Sequence, residues 1–481
     1  MKIRLTFRLV GYVLLVEAAL MLLSLIVALI YHGSEWLAFL QTMLITGLVG
    51  GLLTRLKPRN DNLRAREGFA VVALSWIALS FFGALPFFLH RSIPNLIDAF
   101  FETASGFTTT GASILTDVEA LPNGLLFWRS FTHFVGGMGV LVLSLALIPK
   151  MGSRSIYLMR AESPGPSTDK LVPRLGQSAK ILYLLYVALT VVMYFCLRLT
   201  GVGVFDSLIH CFGTAGTGGF SNYGASVAAF NNPAAENVIT FFMFAFGVNF
   251  SIYYYVITRN WKGIKANSEL KVYFLAMFIS SIVIALKLVQ EMGYSLPDSL
   301  RLSFFQVNTV MSTTGYATCD FDKWPQLCRT IMVALMLCGA SAGSTGGGIK
   351  WIRVQLLCKS MVREIRKTVH PKSVNIVKLD GRVVDENTLT GVFGFFFAYF
   401  AILVIATLVI SFDGFSFETN VTAVISALSN IGPGLGVVGP TGNFAGYSDF
   451  STFVLALCML IGRLEIFPML MLLAPSAWAR Y

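Results

Sequence analysis

The chain has 481 residues, of which 55% are hydrophobic and 13% charged, with a mean hydropathy of +0.71. A soluble chain of this length would divide into domains with charged surfaces, so composition excludes a soluble enzyme or binding module and requires a polytopic membrane protein. The formal net charge is +11. Lysine and arginine gather in alternate loops, however, which speaks against a nucleic-acid patch and for the positive-inside pattern of a membrane chain.

Lys2, Arg4 and Arg8 put the N-terminus on the cytoplasmic side. The apolar run after them continues to Ile30 with no small-residue cleavage site, so it is a retained helix and not a signal peptide. Residues 9–30 and 36–56 read as an added helix pair. The first basic loop follows, with Arg55, Lys57, Arg59, Arg64 and Arg66.

Four units come next. Residues 69–89 span the membrane. Residues 97–107 are too short to span and read as a re-entrant helix, with Asp98 and Glu102 near its start, where carboxylates complement the helix dipole. The polar loop Thr108-Thr109-Thr110-Gly111-Ala112-Ser113 follows, and residues 125–148 return through the membrane. Gly136, Gly137 and Gly139 in that return permit close helix contact. A basic, Pro-rich connection carries Lys150, Arg154, Arg160, Lys170 and Arg174, with Pro164, Gly165, Pro166 and Pro173 marking it as a loop.

The second unit repeats the order: a span at 181–199, a short helix at 205–215 with Asp206, the loop Gly216-Thr217-Gly218-Gly219-Phe220-Ser221, and a span at 238–257. Arg259, Lys262 and Lys265 form the next basic loop. In the third unit a span at 270–290 leads to a short helix at 300–311, just after Asp298, and to Ser312-Thr313-Thr314-Gly315-Tyr316. Its returning segment, 329–362, is interrupted by a run from Gly339 to Gly348 that also holds Gly343, Gly346 and Gly347. No helix is comfortable through so many glycines, and irregular backbone at membrane depth must line a cavity or be buried in protein. It reads as a flap on the cytoplasmic side of the third loop. The basic stretch 359–382 fits either a lipid-facing skirt or a docking surface for a cytoplasmic partner. The fourth unit has a span at 389–410, a short helix at 418–428, Ser429-Asn430-Ile431-Gly432-Pro433, and a last span at 450–473.

Repetition carries the functional reading. A single polar loop is ordinary, but four in one frame, about a hundred residues apart, mark an internal repeat. Glycine allows a positive φ, and an extended run ending in glycine can aim carbonyls at an axis. Four such runs make a ring of oxygens able to replace the water shell of a monovalent cation. Arg463, near the middle of the last span, is an expensive charge that pairs with Glu465 or another acid, or faces the pore as an electrostatic barrier. Gly339-Ala340-Ser341-Ala342-Gly343 fits a nucleophile elbow by letter, and Gly434-Leu435-Gly436-Val437-Val438-Gly439 a dinucleotide fingerprint. Neither has its strand, and neither His133 nor His210 is marked as a base, so an enzyme is not expected. The seven cysteines show no metal-ligand spacing; Cys319 and Cys328 share one expected external loop, which leaves a disulfide open. The competing transport class is an alternating-access cation/proton symporter, which would need a titrating intramembrane acid such as Glu465.

With these loops, the glycine-rich break and Arg463 in view, the whole chain resembles the Trk-type potassium uptake proteins (TrkH/TrkG and KtrB), in the superfamily that includes the plant HKT transporters. The added N-terminal pair is similar to the TrkH type. The resemblance implies an all-α polytopic membrane protein: four helix–pore-loop–helix units around one pore, plus the N-terminal pair. The expected divisions are 1–60 for the pair, then 61–152, 153–260, 261–380 and 381–481. It implies filter carbonyls at Thr110, Gly111, Gly218, Gly219, Thr314, Gly315, Ile431 and Gly432. Ile431 matches the Thr-rich pattern least. It makes the segment with Gly339, Gly343, Gly346, Gly347 and Gly348 a gating loop and Arg463 the pore arginine. Glycine, not serine, at position 111 implies potassium over sodium, with rubidium also passing. The transported K+ ion is the ligand and no organic cofactor is expected. The implied setting is a homodimer in the bacterial inner membrane, in contact with lipid. A separate cytoplasmic nucleotide-binding ring, TrkA, would regulate it.

Overall fold

The computed structural model describes residues 2–58, 65–139, 175–373 and 375–478. The expected basic positions Arg59 and Arg64, the end of the span at 125–148 and the connection carrying Lys150 to Arg174 lie outside the described residues. Among those described, six helices are long and apolar enough to cross a membrane, or seven when one bent pair counts as a single span.

The chain opens with α1 (Ile3–Ile30) and α2 (Trp36–Thr54), an antiparallel pair. They cross closely because Gly11 and Gly50 face each other: a β-carbon on Gly11 would sit 2.8 Å from the Gly50 carbonyl oxygen. The first unit is α3 (Ala65–Leu89), the short α4 (Leu96–Phe107) and α5 (Asn123–Gly137). The second is α6 (Leu175–Leu199), the short α7 (Val204–Gly216), α8 (Pro233–Gly247) and α9 (Phe250–Ile257). A connecting turn, α10 (Trp261–Ala266), leads to the third unit: α11 (Ser268–Met292), the short α12 (Leu296–Met311), α13 (Gln326–Cys338) and α14 (Trp351–Val369). The fourth comprises α15 (Glu386–Ile410), the short α16 (Phe417–Ser429), α17 (Asp449–Arg463) and α18 (Phe467–Leu473). Among the described residues, the one departure from helices and loops is a hairpin of two-residue strands, β1 (Lys378–Leu379) with β2 (Arg382–Val383), in the basic connection.

All four short helices start at an acid, and three of them also at a side-chain cap. Asp98, Asp206, Asp298 and Glu418 each lie in a first turn. Asn95, Ser295 and Ser416 cap three of them by accepting backbone N–H groups. α12 begins four residues earlier than expected, because Pro297 sits at the helix start, where its missing N–H costs nothing.

Two expected spans are corrected. Residues 238–257 are not one helix: α8 and α9 meet at 93° across Val248 and Asn249. Residues 450–473 are broken as well, since α17 ends at Arg463 and Glu465 and Ile466 have φ of 54° and 69° before α18 starts. Positive φ on a β-branched residue is strained and is held here by tertiary contacts. Returning helices of units two, three and four are thus all interrupted, and α5 ends at Gly137. The interruptions share a level. A β-carbon on Gly136 would overlap the carbonyl of Phe107, at the end of α4, and one on Gly462 would overlap that of Leu428, at the end of α16. Phe107 and Leu428 occupy the same place before Gly111 and Gly432.

The Cys319–Cys328 disulfide, which the sequence left open, is not formed. Both are free thiols, and Cys328 is buried in α13 rather than in the loop.

Candidate functional site

Each polar loop leaves its short helix in the same conformation. Thr109, Thr217, Thr313 and Asn430 are left-handed, at φ of 56°, 56°, 60° and 55°. Two residues later Gly111, Gly219, Gly315 and Gly432 take φ of 80°, 75°, 85° and 104°. The intervening residues make one repeated hydrogen bond back into the helix: Thr110 N to Ser105 O, Gly218 N to Gly213 O and Thr314 N to Thr309 O at 2.8 Å, and Ile431 N to Ser426 O at 3.0 Å. A left-handed cap of this kind turns the chain sharply out of the helix. Only glycine takes the second positive φ without strain.

The four loops close into a ring. A β-carbon on Gly111 would overlap the Gly218 carbonyl oxygen, one on Gly219 the Thr314 oxygen and one on Gly315 the Ile431 oxygen. The cycle closes because a β-carbon on Gly432 would lie 2.8 Å from the Thr110 oxygen. Thr110, Gly218, Thr314 and Ile431, named from sequence as carbonyl donors, therefore each face the glycine of a neighbouring loop. The C-terminal ends of the short helices lead into this ring, and their dipoles add negative potential there.

A buried scaffold fixes the ring from behind. Arg129 donates to Glu102 at 2.5 Å and to Ser221 O at 2.9 Å, with its guanidinium 3.5 Å from the Phe220 ring centre. Glu102 also accepts from Ile114 N at 2.9 Å, so one ion pair clasps the first loop to the second. His133 Nδ1 lies 2.7 Å from Gly106 O, while its Nε2 accepts from Phe220 N at 3.2 Å. That pattern requires the neutral imidazole with Nδ1 protonated. His210 holds the Ser221 hydroxyl, and Tyr316 donates to His210 O and Phe220 O. Among the described residues, the Ser341 hydroxyl has no hydrogen-bond partner. Asn430 replaces threonine in the fourth loop and donates to Thr110 Oγ1 at 3.0 Å and Met459 O at 2.9 Å, tying the last loop to the first.

Beneath the ring lies the segment between α13 and α14. Gly339, Gly343 and Gly348 have φ of 70°, 70° and 79°. The segment touches units two, three and four directly and reaches unit one through Arg463. Ser341 N bonds Gly247 O at 3.1 Å and Gly343 O accepts from Phe250 N at 3.0 Å, both at the bend of unit two. Gly347 N donates to Thr313 Oγ1 at 2.8 Å, a direct link to the third loop. Packing leaves no room for side chains: a β-carbon on Gly347 would overlap Ser429 O, and one on Gly346 would come within 2.8 Å of Ser312 O. Arg463 donates to Thr345 O at 2.7 Å, to Gly136 O at 2.5 Å and to Gly137 O at 2.7 Å, joining the segment and unit four to unit one.

Arg463 is thus the last residue of α17 and not mid-helix as expected. Glu465, the acid named in the pairing alternative for Arg463, pairs with Arg353 at 2.5 Å. Sequence reasoning missed a further group, Glu269. Its carboxylate accepts from Ala342 N at 2.8 Å and Ile352 N at 3.0 Å, pinning both ends of the segment. Lys350, also missed, donates to Gly346 O. The only signal for either was a charge at the rim of an apolar stretch.

A family model described as a cation transport protein, TrkH, matches residues 36–479. The "Trk system potassium uptake protein TrkH" of Salmonella typhimurium is 37% identical over 484 residues, covering 99% of this chain and all of that one. TrkG of Escherichia coli, also named a Trk system potassium uptake protein, is 33% identical over 99% of both. The crystal structure of the potassium transporter TrkH from Vibrio parahaemolyticus superposes with a TM-score of 0.89 at 32% identity, covering both chains completely. By the ring of four loops, the broken inner helices and these full-length matches, the chain belongs to the TrkH family of membrane cation transport proteins.

Proposed function

We propose that this chain is a potassium uptake pore of the bacterial inner membrane, selective for K+ and passing Rb+. The observation that carries the reading is the closed ring, in which Thr110, Gly218, Thr314 and Ile431 carbonyls each meet the glycine of another loop. Carbonyls of Thr110, Gly111, Gly218, Gly219, Thr314, Gly315, Ile431 and Gly432 then replace ion hydration. The segment with Gly339, Gly343, Gly346, Gly347 and Gly348 is the gate, and Arg463 the cationic barrier at its rim. Relatives named as potassium uptake proteins and a potassium transporter agree with this assignment.

The divisions at 1–60, 61–152, 153–260, 261–380 and 381–481 are the working units. The N-terminus is cytoplasmic, the chain acts as a homodimer, and a TrkA-like nucleotide-binding ring regulates it from the basic face. No catalysis and no organic cofactor belong to the reading. Glu465 is engaged by Arg353, which disfavours it as the titrating acid of a symporter. Voltage-driven Rb+ uptake into liposomes, with and without a proton gradient, separates the two mechanisms. Flux that follows voltage and ignores the proton gradient supports a pore. Flux that requires the gradient sinks it.

A further inference from the structure

The helix that leaves the gating segment carries a groove of its own. The first half of α14 is buried through Ile352, Arg353, Gln355, Leu356 and Ser360. Its second half turns apolar side chains outward: Met361, Ile365 and Val369 are 61%, 56% and 65% exposed. They recur every fourth residue and so form one stripe. Lys359, Arg363 and Arg366 form the neighbouring ridge, and with Ile376, Val377 and Lys378 they line a cavity of about 320 Å³.

The charges there are arranged to receive an anion. Arg363 is neutralised by Glu386 at 2.5 Å and Glu364 at 3.1 Å. Lys359 donates to the Lys378 carbonyl at 2.8 Å. No carboxylate pairs with Lys359, Arg366 or Lys378 among the described residues, so the groove keeps a positive excess. Its depth is fixed by Glu386, which is also the first residue of the spanning helix α15. The groove therefore sits at headgroup level, with the apolar stripe beside it. A basic ridge flanking an apolar stripe at that level fits lipid, whose phosphate and chains match both parts. A soluble anion would use the ridge but leave the stripe in water.

We propose that the groove between α14 and residues 375–378 binds the phosphate headgroup of an anionic phospholipid, whose acyl chains lie along Met361, Ile365 and Val369. Because α14 continues directly from the gating segment, occupancy holds the helix on which that segment hangs.

The test uses the full-length protein in vesicles and a photoactivatable phosphatidylglycerol, with crosslinked peptides mapped by mass spectrometry. A phosphatidylcholine probe and competition by millimolar inorganic phosphate are the control arms. The phosphatidylglycerol probe labels residues 358–378. Labelling falls about thirtyfold in the Lys359→Gln/Arg366→Gln variant, since each basic side chain near an anionic surface contributes roughly fivefold in affinity. An unchanged elution volume and thermal midpoint in detergent establish that the variant is folded. Equal labelling by phosphatidylcholine, or labelling insensitive to the double substitution, overturns the proposal. Displacement by inorganic phosphate reassigns the groove to a soluble anion and also overturns it. So does a Met361→Cys variant that forms an intermolecular disulfide, because the stripe would then face a second copy of the chain.

Discussion

Thr109, Thr217, Thr313 and Asn430 share a left-handed conformation that asparagine tolerates and threonine resists. Three threonines hold it because their backbone bonds and buried surroundings over-determine it. The glycines two positions later have no such latitude, since their hydrogens face carbonyl oxygens. Gly219→Ala would add strain of about 1–3 kcal/mol and press on the Thr314 carbonyl. We expect at least tenfold lower Rb+ uptake from protein that still elutes as folded. Arg463 works differently. Its three carbonyl contacts hold the segment in place, and charge-assisted bonds contribute about 1.5–3 kcal/mol each. Arg463→Ala should raise uptake about tenfold, and unchanged uptake would remove its role as barrier. The Arg129–Glu102 pair is structural. Arg129→Met would leave a buried carboxylate unpaired at a cost of about 3–5 kcal/mol. Its signature is a lower midpoint of thermal aggregation in detergent. Glycine positions could be read from the sequence because backbone demand is local. Arg129, His133 and Glu269 were not legible as scaffold, because their partners lie on other elements.

Among the elements, the short helices were the most legible: 97–107, 205–215 and 418–428 each match the structure to within a residue at either end. Their length is set by apolar content and an acid at the start, both local. The breaks were harder. Ten residues with five glycines betray the gap between α13 and α14, whereas Val248-Asn249 and Leu464-Glu465-Ile466 contain no breaker at all. Those helices stop because another element fills their path. Asn249 packs on Gly343, and Gly462 lies against the end of α16. The segment beneath the ring is held largely by hydrogen bonds to backbone and to Glu269, so it is the element best suited to open. Glu269→Ala should speed amide exchange across residues 340–352 about tenfold, while Glu269→Gln, which keeps an acceptor, should change it little. Equal exchange in the two variants would contradict the latch.

On the scale of the whole molecule, the ring and the segment under it are one device. Gly347 reaches Thr313 in the third loop, Arg463 reaches unit one, and Asn430 ties the fourth loop to the first. The segment under the ring is therefore tied directly to units two, three and four, and through Arg463 to unit one. Internal repetition makes this architecture legible in the sequence, since four loops in register have few alternatives to an axis. The level of the inner breaks was not legible, because it depends on helix ends meeting across the pore.

The central claim is that the ring selects potassium. The most direct measurement compares K+, Rb+ and Na+ uptake, driven by an imposed potential, in liposomes holding the wild-type chain or Gly111→Ser. Gly111 abuts the Gly218 carbonyl, so a serine there must displace one oxygen of the ring. The wild type is predicted to carry K+ and Rb+ well above Na+, and the variant to lose most of that preference while still conducting. A wild type that does not distinguish K+ from Na+, or a variant whose preference is unchanged, would contradict the account.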